Sequence, residues 1–253
     1  MKVLLTGATG AAGLPMLRML LEDPTVDAVT VPARRPLPDW VNLPTTGTAA
    51  HPKLTVIPNF NFLEYTPEAQ AAVAAHDACI WALGKSQIGF TKEQYTEFTY
   101  TYVEKFLDAL KAQGAGSPEH PYRVVFVSGS GADSTEKSSA LFSRVKGQTE
   151  NAILSTAHAS NGTVKATILR PGYFHPESAD ASHQRSCGWR VKDLTLGKAL
   201  KAVVPSAAIS VKNLAQFAIS AAKGKWEDQG ELFEHKEILR LLKEANRGGR
   251  DEL

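Results

Sequence analysis

The amino-acid sequence predicts an α/β fold, a doubly wound parallel sheet with helices on both faces and a small C-terminal lobe. Three observations carry this. Short apolar runs without polar alternation recur, as in Val3–Leu5, Cys79–Leu83 and Val124–Val127; strands buried on both faces read this way. They alternate with stretches of helical spacing, the βαβα order of a parallel sheet. The first apolar run ends in Gly7, Gly10 and Gly13, directly before Leu14, Met16, Leu17, Leu20 and Leu21 at helical spacing.

In chain order, strands are expected at 3–5, 28–32, 54–57, 77–84, 123–127 and 165–169. Helices are expected from Leu14 to Leu21, from Pro67 to Ala75, from Lys92 to Gln113 and from Ser138 to Ser155. Pro15 falls in the first helical turn, where a missing N–H costs little. The Pro-, Thr- and Gly-rich stretch 34–53 reads as a long loop. Tyr95, Phe98, Tyr102, Phe106 and Leu110 form an aromatic and apolar stripe whose simplest role is core packing, and Gly114 and Gly116 close that helix. Beyond Arg170 the pattern breaks. Residues 171–189 are polar and irregular, and short helices follow near 194–203 and 212–222. A short strand near Leu232 and an amphipathic helix over 236–245 finish the chain, the latter docked on the lobe or on a partner.

The 253 residues suit one α/β domain with a small appendage. A net charge of +2 argues for neither a nucleic-acid nor a membrane surface. Cys79 and Cys187 match no metal spacing and read as reduced thiols. The first strand takes up the N-terminus, so no signal peptide is expected, and no run is apolar enough to cross a bilayer; a cytoplasmic protein is expected. The terminal Arg250-Asp251-Glu252-Leu253 and the Asn161-Gly162-Thr163 sequon are then read as chance.

The glycine turn points to function. Gly7 permits a tight turn, Gly10 has no side chain to block a pyrophosphate, and Gly13 lets helix and strand pack closely. The phosphates would lie over the N–H groups of the new helix, with Thr9, Ala11 and Ala12 completing the cradle. This makes 1–170 a dinucleotide-binding core of Rossmann type and 171–253 a substrate-covering lobe that is not an independent domain. An NAD enzyme usually carries an acid at the end of the second strand to hold the ribose. This chain has Arg34 and Arg35 there instead, and a guanidinium fork suits a 2′-phosphate. NADP(H) is therefore the expected cofactor, a solvated basic loop being the ordinary alternative.

The chain resembles atypical short-chain dehydrogenase/reductases, in particular Tat-interacting-protein-like members. The stretches that carry the resemblance are Thr6 to Gly13, Arg34-Arg35, Leu83-Gly84, Ser128 through Gly131-Ala132-Asp133, Val145-Lys146-Gly147 and Leu169-Arg170-Pro171-Gly172. The resemblance implies a Rossmann fold, NADP(H), and a Ser-Tyr-Lys unit acting on a small carbonyl or related metabolite, with Leu83, Gly84, Lys146 and Pro171 beside the ribose and nicotinamide. Asn59 and Phe60 follow the third strand, where proteins that this chain resembles carry an acidic and an apolar residue beside the adenine. Lys146 fits the lysine. The tyrosine position, four residues earlier, is Phe142, which has no proton to give. Ser128, Ser130, Ser143 or Tyr173 could supply a hydroxyl, Ser128 being the first choice for polarising the substrate. Water or substrate could supply the proton at a cost of ~10²–10⁴-fold. The protein could also bind NADP(H) and regulate a partner without chemistry, or run a redox-neutral isomerisation or dehydration. His175 and His183, with Glu177 and Asp180, show no recognised ligand spacing and read as solvated loop residues, so no metal is expected. A protein partner or homodimer stays open.

Overall fold

The computed structural model describes residues 1–44, 51–184 and 208–251. Among these residues seven strands form one sheet: β1 (Lys2–Thr6), β2 (Ala28–Pro32), β3 (Leu54–Ile57), β4 (Ala78–Trp81), β5 (Tyr122–Val127), β6 (Val164–Arg170) and β7 (Leu232–Glu234). Their order is β3-β2-β1-β4-β5-β6-β7 and every pairing is parallel. The chain moves outward from β1 to β3, then returns to the other side of β1 as β4. Such a reversal leaves a crevice at the carboxyl ends of β1 and β4, where ligands bind in open parallel sheets.

The pleat of each strand sends alternate side chains into two cores. Val3 and Leu5 join Met16, Leu17 and Leu20 of α1 (Gly13–Glu22) and Leu214 and Phe217 of α7 (Val211–Ala222). Leu4, Trp81 and Phe126 face the other way, onto α4 (Tyr102–Gln113) and α5 (Leu141–Ala159), where Phe106 and Ile153 are buried. The short α2 (Pro67–Ala74), capped by the Thr66 side chain on Ala69 N, places Val73 in this second core.

Some elements differ from expectation. The helix expected over 92–113 is made of α3 (Lys92–Thr96), a π-helical turn over Glu97–Thr101, and α4. Tyr95, Tyr102, Phe106 and Leu110 are buried, so the stripe does pack in the core. Helix α5 begins at Leu141, because the Asp133 carboxylate accepts from Lys137 N (3.1 Å) and Ser138 N (2.7 Å) and holds that stretch as a turn.

The largest departure lies after Arg170. The expected lobe over 171–253 is, through residues 208–251, built into the sheet and its covering layer. β7 pairs with β6, and α7 covers α1, with Phe217 stacked on Trp226 at 4.0 Å. α8 (His235–Asp251) buries Ile238, Leu241 and Leu242 in the same core. The reason is exposure: without α7 the apolar face of α1 would be left in water. Residues 171–184, including α6 (Ala181–Gln184), do lie beside the crevice. Arg18 of α1 holds Asp180 through two hydrogen bonds of 2.6 and 3.0 Å, and Gln184 Nε2 donates to Thr9 O at 3.0 Å. Cys187, Trp189 and the helix expected near 194–203 fall outside the described residues.

Candidate functional site

The glycine turn closes the end of β1 against β4. The Thr6 hydroxyl accepts from Leu83 N at 3.2 Å, so the two strand ends that flank the crevice are tied together. Gly7 has φ +71°, and a Cβ there would sit 2.6 Å from the Ala82 carbonyl and Leu83 N. A Cβ on Gly13 would sit 2.1 Å from Gly7 O. Neither position admits another residue without moving backbone. Gly10 N donates to Gly7 O at 2.9 Å, and Ala11 and Ala12 lead into α1. Among the described residues no side chain caps α1 at Ala12, and no acid lies in its first turn. The positive end of the helix is therefore available to an anion.

Beside this turn lies a cavity of about 650 Å³ lined by Gly7, Thr9, Arg34, Arg35, Phe62, Leu83 and Lys85 among others. No lining residue is acidic. Arg34 and Arg35 thus stand at the cavity, as the end of β2 dictates. Asn59 is exposed, with φ 57°, and the Phe60 ring packs on Phe62 (5.0 Å) and Tyr65 (5.2 Å) in the core. It is Phe62, two residues on, that reaches the cavity wall. Lys85 was missed in the sequence; its signal was a lysine directly after the glycine that ends the β4 run.

The far end of the crevice holds the other candidates. Lys146 is buried on α5; its ammonium donates to Val127 O at 3.2 Å and lies 4.5 Å from the Phe126 ring centre. It also lies 3.9 Å from where a Cβ on Gly84 would be. Lys146 and Gly84 therefore meet across the crevice. Burial pushes the lysine pKa down to about 8, against the opposing pull of Glu150. Ser128 is also buried, and its hydroxyl donates to Glu150 Oε1. Glu150 in turn receives Arg170 through Nη2 at 2.5 Å and Nε at 3.1 Å, and Arg170 reaches Glu234 (2.9 Å) and Ser134 (2.7 Å). A hydroxyl already donating to a carboxylate has no second proton with which to polarise a substrate oxygen. Ser128 therefore serves the Glu150–Arg170 pair in this arrangement.

The Phe142 ring lies over Gly129, whose absent Cβ would be 3.0 Å from the ring tip. Its backbone N–H donates to Gln87 Oε1 at 3.0 Å, which ties the loop after β4 to the start of α5. Ser130 is exposed, Ser143 is half-buried, and the Pro171 carbonyl accepts from Ser130 N at 2.9 Å. Tyr173 is half-buried, and its carbonyl accepts from Ile209 N at 3.0 Å. His175 bonds Pro176 O at 2.9 Å, and His183 stacks on Trp40 at 4.7 Å.

The lysine supplies a pH test. Lys146 carries its ammonium below about pH 8 and loses it above. If the crevice takes a dinucleotide, its affinity is expected to fall as pH rises through that value, and Lys146→Met should flatten the profile. Titrating NADPH fluorescence between pH 6.5 and 9.5 checks this, and an unchanged slope in the variant would assign the dependence to another group.

No family model matches the chain. A curated relative, the leucinostatins biosynthesis cluster protein T of Purpureocillium lilacinum, is 27% identical over 135 residues, which cover 53% of this chain and 45% of that protein. The chain thus matches less than half the length of that relative. Among solved structures, the reductase domain of PhqB from Penicillium fellutanum superposes with a TM-score of 0.64 at 20% identity, over 87% of this chain and 64% of that one. The UDP-glucuronic acid 4-epimerase of Bacillus cereus, solved with NAD, gives 0.64 at 16% identity over 92% and 78%. A short-chain dehydrogenase of Burkholderia cenocepacia, solved with NADP, gives 0.62 at 15% identity over 100% and 96%. The chain has the Rossmann-type α/β fold shared by these short-chain dehydrogenase, reductase and epimerase structures. Among the described residues no helix is long and apolar enough to cross a membrane.

Proposed function

We propose that the chain is an NADP(H)-binding atypical short-chain dehydrogenase/reductase, an oxidoreductase on a small carbonyl or related metabolite whose usual catalytic tyrosine is replaced by Phe142. The observation that carries this reading is the glycine cradle, in which a Cβ at Gly7 or Gly13 would strike backbone, opening beside a cavity walled by arginines and no acid. The pyrophosphate would lie over Gly10 to Gly13 and the start of α1, and the adenosine phosphate beside Arg34 and Arg35. Lys146, between Gly84 and the end of β5, would hold the nicotinamide ribose with Pro171 nearby. The bound dinucleotide would donate or accept a hydride; the chain itself would orient it, exclude water and place charge.

A second reading, a dinucleotide-binding regulator without turnover, is favoured by two facts together: Phe142 has no hydroxyl, and the Ser128 hydroxyl is committed to Glu150. Tyr173 and Ser130, in the turn region, would be the alternative hydroxyls. The cofactor reading is tested with Arg34→Ala/Arg35→Ala. NADPH affinity should fall by about 10–100-fold, one to two charged contacts, while NADH affinity stays level. Equal binding of NADPH and NADH by the native chain would overturn it.

A further inference from the structure

We infer that Lys85, on the loop after β4, is a third cation for an adenosine 2′-phosphate, acting with Arg34 and Arg35 across a shared Phe98 ring. The inference rests on the NADP(H) reading and adds to it a specificity-determining residue from a different strand. Arg34 and Arg35 follow β2, whereas Lys85 follows β4, and these strands flank β1 on opposite sides. All three line the one cavity. Two of them address a single ring: the Arg34 guanidinium carbon lies 5.1 Å from the Phe98 centre and the Lys85 ammonium 5.4 Å from it. Lys85 also lies 4.9 Å from the Phe90 ring centre. Phe90 and Phe98 meet edge to face at 5.5 Å, so the two rings form one platform. Cations over aromatic faces are held loosely in place without being neutralised.

Phe98 belongs to the π-helical turn over Glu97–Thr101. Such turns widen a helix locally and recur at functional sites. Here the turn presents Phe98 beside Lys85 and Arg34, while Tyr95 and Tyr102 on either side of it are buried in the core. Gathering like charges is unfavourable; no residue lining the cavity is acidic, and Glu97, which accepts from the Tyr102 hydroxyl at 3.3 Å, is not among that lining. Partial burial, Arg34 and Arg35 together hold the Lys85 ammonium below the usual lysine range. A phosphate dianion offsets that repulsion. All three residues are exposed, so they are open to an anion from solvent. The pyrophosphate does not compete for them, because its place is the glycine turn. A monoester on the adenosine ribose is the anion that a site at this end of the crevice would take.

The probes are 2′,5′-ADP, 5′-AMP and NADPH, titrated by calorimetry against the full chain and against Lys85→Met, Lys85→Arg, Phe98→Leu and Arg34→Ala. Lys85→Met should weaken 2′,5′-ADP and NADPH about tenfold, the value of one charge-assisted contact, and leave 5′-AMP unchanged. Lys85→Arg should keep most of the affinity. Phe98→Leu should weaken 2′,5′-ADP while sparing 5′-AMP, which a general loss of packing would not do. If Lys85→Met weakens 5′-AMP equally, the lysine only shapes the loop and the inference falls. If Arg34→Ala weakens 2′,5′-ADP and Lys85→Met does not, the inference falls and the NADP(H) reading stands. A native chain that binds 2′,5′-ADP no better than 5′-AMP overturns both.

Discussion

Phe142→Tyr is expected to raise NADPH-dependent carbonyl reduction by about 10²–10⁴-fold, the usual contribution of a general acid. The Phe142 ring tip lies over Gly129, close enough that a Cβ there would sit 3.0 Å from it. Lys146 follows four residues later on the same face of α5, with an ammonium whose pKa of about 8 leaves it charged at neutral pH. A positive charge beside a phenol lowers its pKa and stabilises the phenolate formed when the proton is given away. The measurement is NADPH oxidation with a panel of aldehydes and ketones, with NADPH affinity as the control. If both chains bind NADPH equally and the variant still shows no turnover, the missing proton donor is not what limits the protein, and the regulator reading gains.

Glu150→Ala is expected to destabilise the fold by about 3–5 kcal/mol, the usual result of removing one partner from a buried ion pair. Glu150 is fully buried, and the Arg170 side chain is 12% exposed. Without the carboxylate, Arg170 keeps only Glu234 and Ser134, and the Ser128 hydroxyl loses its acceptor. For a domain of this size the loss corresponds to a drop in Tm of roughly 10 °C. The double variant Glu150→Leu/Arg170→Met should recover much of it, because an apolar pair of similar volume avoids the unpaired charge. Thermal unfolding of the three proteins checks this. A Glu150→Ala protein as stable as the native one would show that the pair does not hold the strand ends together.

Most of the sheet was legible because its strands are continuous apolar runs, which a chain cannot place anywhere but between two helical layers. The glycine turn was legible for a different reason: at Gly7 and Gly13 a Cβ would strike backbone, and only glycine satisfies those two positions. What the sequence did not reveal depends on long-range partners. Leu214, Phe217 and Phe233 have the same local pattern whether they cover a substrate or complete a sheet, and only the apolar face of α1 decides between these. At Ser128 the position at the end of β5 is local information, whereas its hydrogen-bond partner, Glu150, comes from α5. Phe60 and Phe62 both follow β3, and the short distance between them hid which ring reaches the cavity. Lys85 gained meaning only once β2 and β4 were seen on either side of β1.

The pairing of α1 with α7 also orders events during synthesis. The glycine turn is made well before the Leu83 amide that ties its end, and α7, which covers Met16, Leu17 and Leu20, is made later still. At about 5–20 residues per second, α1 stays uncovered for roughly ten seconds or more on the ribosome. During that interval its apolar stripe is a natural target for a holdase, and a dinucleotide has no finished site to enter. Ligand binding can assist only the last stage of folding, when residues 211–222 close over the helix that begins at Gly13.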